Sequence, residues 1–467
     1  MTHMHVAGVT HADVWGAGPQ WLERPTDPNA LDTQLWSSTT RREPSGEVTI
    51  GGIGVTGIVE QTQTPVYVMD EVDFRARAAA FRQAFADWDV YYAGKALLTR
   101  SVARWAMEEG LRLDVCSLGE LVTALRAGVP AADIGLHGNN KSVEELRLAI
   151  EQGVGRIVVD SLDEVARIER LTEELDLTAH VLVRVTVGVE AHTHEYIATA
   201  HEDQKFGFSI ANGAAMVAMV RCHYNPRIDL RGIHSHIGSQ IFATQGFEVA
   251  ARRTMKLLGQ FVSATGSQLP ELDLGGGFGI RYTSQDSPAT PDQLASDLRE
   301  IVEHESRAFG LTAPRMSIEP GRAIVGPAGT ALYTVGTVKT VELDGGQSRV
   351  YVSVDGGMSD NIRTALYAAE YSAALVNRAS TAQPVLCRVV GKHCEAGDIV
   401  VRDVFLPGDI TPGDLIGVPA NGAYSRSMAS NYNHATKPPV VAVRDGHLVT
   451  MLRRETLDDL LGLDVGA

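Results

Sequence analysis

The chain lacks any run of about 18 consecutive apolar residues, the length a membrane-crossing helix needs, so no transmembrane span is expected. It is also poor in positive charge. Lys and Arg number 41 against 57 Asp and Glu, a formal net charge of -16. That excludes the broad basic face that nucleic acid or an anionic membrane would require, but leaves room for a phosphorylated small molecule in a local pocket. Cysteine is scarce: Cys116, Cys222, Cys387 and Cys394 are scattered, with no C-x-x-C pair. Neither a disulfide framework nor a zinc site is expected, and reduced thiols in the cytoplasm are. Residues 1–18 show no basic stretch followed by an apolar one, so no secretory signal is expected.

What remains is an ordinary globular composition, 44% hydrophobic and 21% charged. A length of 467 residues exceeds one ordinary core and implies more than one domain. Residues 1–45, rich in Pro, Thr, Asp and Gly, read as a loosely ordered lead-in. Residues 46–62 carry β-branched residues and glycines and read as strands joining a C-terminal β domain.

Over residues 63–324 a strand-then-helix beat repeats. Expected strands are Val90–Lys95, Leu111–Ser117, Ile134–Asn139, Arg156–Ser161, His180–Val187, Arg231–Gly238, Leu272–Gly275 and Met316–Glu319. The count and rhythm fit an α/β fold, a (β/α)8 barrel, better than an open doubly wound sheet, because polar or glycine residues cluster at the end of nearly every strand. Residues 325–467 change to short strands separated by Gly, Pro and Asp turns, an all-β second domain.

Chemistry-bearing strings sit at the expected strand ends. Lys95, in Tyr-Tyr-Ala-Gly-Lys-Ala, is placed where a lysine facing a cleft could form a Schiff base. The run Gly275-Gly276-Gly277-Phe278-Gly279 offers side-chain-free backbone to an anion. It lacks the P-loop lysine, and the acidic residue expected about twenty residues beyond a dinucleotide glycine loop is not cleanly placed on a strand. Glu319-Pro320-Gly321-Arg322 ends the last strand; its carboxylate could keep a pyridine nitrogen protonated, and its guanidinium could grip phosphate or carboxylate. His234 and His236 alternate onto one face. Two histidines with no third ligand nearby are thin for a metal, and a histidine stacked on a planar cofactor with Ser239 on its phosphate fits better. No metal is expected. In the β domain, Cys394 stands among charged residues, which favours an exposed, functional thiol over a core one.

Taken in order, these strings resemble the pyridoxal-phosphate-dependent decarboxylases of the alanine-racemase-like fold (fold type III). The resemblance runs from about Ile50 to Val441 and includes Asp-Val-x-Ser-x-Gly-Glu (114–120), His-Gly-Asn-Asn-Lys (137–141), His-Thr-His-x-Tyr-Ile (192–197), Lys-Phe-Gly (205–207), His-Ile-Gly-Ser-Gln (236–240), Asp-Gly-Gly-Met (355–358), Cys-Glu-x-Gly-Asp (394–398) and Gly-Ala-Tyr (422–424). It implies pyridoxal 5'-phosphate on Lys95, His236 stacked on its ring and Glu319 on its nitrogen. Ser239, Gly276, Gly277 and Tyr424 would hold the phosphate. Arg322, Arg363, Tyr367 and Tyr424 would receive substrate, Glu395 its distal ammonium, and Cys394 would donate the closing proton.

The implied reaction converts meso-2,6-diaminopimelate to L-lysine and carbon dioxide, the last step of lysine biosynthesis; ornithine, arginine or carboxynorspermidine are the alternative substrates. The resemblance further implies a homodimer in which Cys394 and Glu395 serve the partner's site. Ser235, Lys392-His393 and Asn361-Ile362-Arg363-Thr364 depart from the common pattern without removing a matched residue.

Overall fold

A computed structural model describes residues 18–188, 205–343 and 347–466. Residues 1–17 of the lead-in and the motif at 192–197 lie outside the described residues. The chain separates into two compact units. One comprises the residues up to Phe74, Ile280–Ser287 and the residues from Val325 onward; the other comprises Arg75–Gly279 and Pro288–Ile324. No helix among the described residues is long and apolar enough to cross a membrane.

The second unit is a closed barrel of eight parallel strands: β1 (Asp89–Ala93), β2 (Arg112–Val115), β3 (Ile134–Leu136), β4 (Arg156–Val159), β5 (Ala179–Thr186), β6 (Ile228–His234), β7 (Glu271–Asp273) and β8 (Arg315–Ile318). Each pairs in parallel with the next, and β8 returns to β1. All eight expected strands are present, each within a few residues of its expected span. Their apolar runs are buried on both faces, as a parallel sheet under helices demands.

The helices start where the sequence supplies caps. Thr99, Ser117, Ser142 and Ser161 each accept a backbone N–H from the first turn of the helix that follows. Because each helix returns the chain to the start of the next strand, every strand's C-terminal end opens on one face.

The barrel interior holds a buried polar layer. Arg156 of β4 donates to Asp273 of β7 at 2.8 Å and to Ser317 of β8 at 3.0 Å, and its guanidinium lies 4.1 Å from the ring centroid of Tyr91 on β1. These partners sit on strands that do not neighbour β4, so the side chain spans the interior. A charge buried this deeply is tolerated because it is paired and hydrogen-bonded.

The other unit is built on a large mixed sheet. Its central strand, Gly329–Leu343, pairs antiparallel with Gln347–Val354, Leu415–Val418 and Val66–Asp70. Pro384–Val390, Ile399–Pro407, Val440–Arg444 and His447–Leu452 extend the sheet.

Three features differ from the sequence reading. Val66–Asp70, expected within 63–324, is fully buried and lies in this sheet rather than the barrel. Arg41–Arg42, Val48–Ile50 and Ile53–Gly54 form their own three-stranded sheet instead of joining the large one. Val55–Thr62, expected as strand, is a helix. Its β-branched residues favour strand locally, but Val55 and Ile58 at helical spacing drop into the core beside Trp36, Val48 and Leu332.

The lead-in is also firmly held from residue 18 onward. Arg42 donates to the carbonyls of Asn29, Gly46, Leu375 and Arg378. Asn29 exchanges hydrogen bonds with the backbone of Ser380 at 2.8 Å each way. Polar composition suggested disorder; a few long-range polar anchors plus buried Leu35 and Trp36 supply the order.

Candidate active site

On the barrel's C-terminal face, Lys95 sits in a tight turn (Gly94–Ala96) directly after β1, half-buried. Its charge acts on Asp114, Cys116, Glu120 and His236, which places the first, second and sixth strand ends around one centre.

Glu319, at the end of β8, is 5% exposed. Its Oε1 lies 3.2 Å from Nε2 of His137 and 3.2 Å from Nε2 of His234. Burial alone would push this carboxyl up, but His137 and His234 outweigh it and hold the group well below the usual carboxylate range. Glu319 is therefore an ionised carboxylate in a dry site. His236 behaves in the opposite sense. Burial, then the charges of Lys95 and Arg184, press its imidazole well below the ordinary value, so it is neutral. Its Nδ1 accepts the Gly276 N–H at 3.3 Å.

The glycine run is a close-approach device. A Cβ on Gly276 would overlap the carbonyl oxygen of Glu319, and one on Gly277 would overlap that of Gly238. Gly277 also has φ +99, a conformation side chains rarely adopt. The strand ends can pack this tightly only because both positions are glycine. Beside the run, Arg322 donates through Nη2 to the Ser239 hydroxyl at 2.9 Å. The structure thus brings Lys95, His236, Ser239, Gly276, Gly277, Glu319 and Arg322 onto one barrel face.

The remaining expected residues lie in the β unit. Cys394 and Glu395 are exposed, in the turn between Pro384–Val390 and Ile399–Pro407. The turn is clamped by buried Asp398, whose carboxylate accepts the N–H of Met358 at 2.6 Å and of His393 at 2.7 Å. The Lys392 N–H reaches Gly356 O at 3.0 Å, and His393 Nε2 meets the Ser359 hydroxyl at 2.8 Å. This clamp ties the Cys-Glu turn to the loop leading into the short helix Arg363–Tyr367. Buried Arg363 donates through Nη1 to the Tyr282 hydroxyl at 2.9 Å and to that of Tyr371. Tyr367 and Tyr424 are half-buried, and Tyr424 takes a left-handed φ of 62°.

Residue-by-residue reading missed the network behind Glu319. His137, Asp114, Asp273 and Arg156 appeared only as members of motifs or as strand residues, and His234 was weighed beside His236 without its partner Glu319. Their one advance signal was polarity inside otherwise apolar barrel strands. His137, His234 and Glu319 present ligand atoms close enough together for a metal ion. The same Nε2 of His137 that faces Glu319 is 2.8 Å from Asp114 Oδ1, and two carboxylate oxygens around one nitrogen favour a hydrogen there over a lone pair offered to a metal.

Comparison with known proteins identifies the family. The family "Pyridoxal-dependent decarboxylase, pyridoxal binding domain" matches residues 71–326, which defines the class of enzyme and its cofactor, pyridoxal phosphate. Diaminopimelate decarboxylase of Mycobacterium bovis is 53% identical over 440 residues, covering 93% of this chain and 98% of that protein. The Bacillus subtilis diaminopimelate decarboxylase is 46% identical over 431 residues, covering 91% and 97%. The crystal structure of the M. jannaschii diaminopimelate decarboxylase in complex with L-lysine superposes with a TM-score of 0.85 at 29% identity, covering 92% of this chain and 98% of that one. The chain belongs, within the pyridoxal-dependent decarboxylases, to the diaminopimelate decarboxylases.

Proposed function

We propose that this chain decarboxylates meso-2,6-diaminopimelate to L-lysine and carbon dioxide, the last step of lysine biosynthesis, with pyridoxal phosphate attached through Lys95. The observation that carries this reading is Glu319, a buried carboxylate held ionised on the same barrel face as a half-buried lysine. The residues fit the cofactor: a lysine to attach it, an anionic partner for a pyridine nitrogen, and glycine backbone toward a phosphate.

When bound, pyridoxal phosphate would supply an electron sink for the bonding pair left on the substrate carbon as carbon dioxide departs. The chain's own groups do the rest. Glu319 holds the proton on the ring nitrogen, which sustains that sink. His236, being neutral, would pack against the cofactor ring without charge repulsion. Ser239, Gly276, Gly277 and Tyr424 bind the phosphate. Arg322, Arg363 and Tyr367 hold substrate carboxylate. Arg363 keeps donors for this task, because a guanidinium has five N–H groups and its tyrosine contacts run through one nitrogen.

Glu395 receives the distal ammonium, and Cys394 delivers the proton that closes the reaction. An exposed carboxylate beside an exposed thiol supports these last two roles, since both must meet something beyond their own turn. We further propose a homodimer in which Cys394 and Glu395 complete the partner's site, and a cytoplasmic location, which the free state of all four cysteines supports.

The test is incubation of holoenzyme with meso-diaminopimelate, following lysine and carbon dioxide. Stoichiometric release of both is expected. Turnover of ornithine, arginine or carboxynorspermidine in preference to meso-diaminopimelate would instead assign a related decarboxylase.

A further inference from the structure

His137 follows β3 and points across the barrel mouth. Its backbone N–H is held by Val115 O at 2.8 Å, which fixes the ring's origin. Its Nε2 lies between two carboxylates, 2.8 Å from Asp114 Oδ1 and 3.2 Å from Glu319 Oε1. A bare lone pair there would face two negative oxygens, so the nitrogen carries a hydrogen. His234 meets Glu319 at the same oxygen, and the two imidazoles pack edge to face with centroids 4.9 Å apart. Both ring nitrogens of His234 are buried without a hydrogen-bond partner, Nε2 meeting Glu319 only at ion-pair distance, which suits a neutral ring.

We propose that His137 is a positioning residue for decarboxylation: as an imidazolium bridging Asp114 and Glu319, it fixes Oε1 of Glu319 and keeps that carboxylate charged. The proposal deepens the reading of Glu319 as the partner of the cofactor nitrogen and rests on it.

The electrostatics agree with the geometry. Burial opposes charge on His137, but Asp114 and Glu319 outweigh it and raise the imidazole to about 9. Burial, by contrast, lowers His234. The charged groups around the bridge are few. Asp114 and Glu319 face His137 directly, and Glu120 senses its charge. Lys95 acts on Asp114, while Asp273, paired with Arg156, acts on Glu319 and His234.

Without the bridge, Asp114 and Glu319 would share a buried space with no cation between them. Burial already raises Asp114, and without a cation between them the two carboxylates would raise each other further. A proton taken up by Glu319 would end its support of the ring nitrogen. His137 thus matters for the charge of Glu319 as well as for its placement.

The test uses three measurements. In apoprotein labelled with 15N-histidine, the His137 signal, assigned by its loss in His137→Gln, should show both ring nitrogens protonated at about pH 7 and deprotonation only toward about 9. A neutral His137 at about pH 7 would overturn the proposal. In holoenzyme, His137→Gln should lower kcat roughly tenfold or more at about pH 7, with little change in KM, and partly recover toward alkaline pH. Adding Asp114→Asn should restore much of that loss, because it removes the uncompensated second carboxylate.

An equal loss at every pH, unrelieved in the double variant, would mean a merely structural role and overturn the proposal. If His137→Gln does not fold, the titration decides, with assignment from His137→Asn. Near wild-type turnover in Glu319→Gln would remove the underlying reading even where His137 titrates as expected, so the two failures have different signatures.

Discussion

The barrel and the β unit handle their polar groups in opposite ways. In the barrel, Asp114, His137, His234, Asp273 and Glu319 are all buried, and each charge is set by another on a different strand. In the β unit, Cys394 and Glu395 are exposed, and what is buried is the residue that clamps their turn, Asp398. Desolvation makes the barrel groups strong, because a charge in a dry site acts at several times its strength in water. A carboxylate and a thiol in water have no such leverage. They gain it only when another surface excludes water around them, as the proposed dimer would.

The contrast can be broken at its strongest point first. Glu319→Gln should retain cofactor yet lose turnover by about two orders of magnitude or more, since a neutral amide does not favour a proton on the ring nitrogen. Activity within a few-fold of wild type would reduce Glu319 to a structural residue.

Next in size is the exposed pair. Cys394→Ala should lower kcat by roughly ten- to a hundredfold through loss of a proton donor. Glu395→Gln should act mainly on KM for the diamino substrate. Steady-state kinetics would separate the two, and a pure kcat effect in Glu395→Gln would contradict its assignment to substrate ammonium.

Smaller again is the clamp. Asp398→Ala leaves the N–H groups of Met358 and His393 without their acceptor, at about 1–3 kcal/mol. A lowered melting temperature together with impaired turnover is expected. Full activity in this variant would show that the Cys-Glu turn needs no such aiming.

The smallest effect is on stability. The raised value of His137 contributes stability that is complete below its unfolded value, about 6.5, and is lost as pH rises through about 9. Denaturant unfolding of apoprotein should therefore show the loss over that interval, and His137→Gln should flatten it.

Much of this was legible beforehand, for a physical reason. Each barrel strand is a short apolar run ending in a polar or glycine residue, so Lys95, His236, the 275–279 glycines and Glu319 stand out along the chain. The His137 bridge did not, because it joins the ends of β2, β3 and β8, which only barrel closure brings together. Helix Val55–Thr62 was hidden by β-branched residues whose burial outweighs local preference. The order of residues 18–45 was hidden by polar composition, since hydrogen bonds such as those of Arg42 leave no periodic trace.

The claim that the barrel's buried chemistry is finished by exposed groups of another subunit is tested most directly by complementation. Lys95→Ala, which is expected to be inactive, and Cys394→Ala, which is expected to keep about a tenth of wild-type turnover or less, are mixed under conditions that allow subunit exchange. A mixed dimer then holds one intact site and one doubly broken one. With half of the dimers mixed, roughly a quarter of wild-type activity should return. No return above the parental variants, with exchange independently confirmed, would place both residues in one subunit's site and contradict the account.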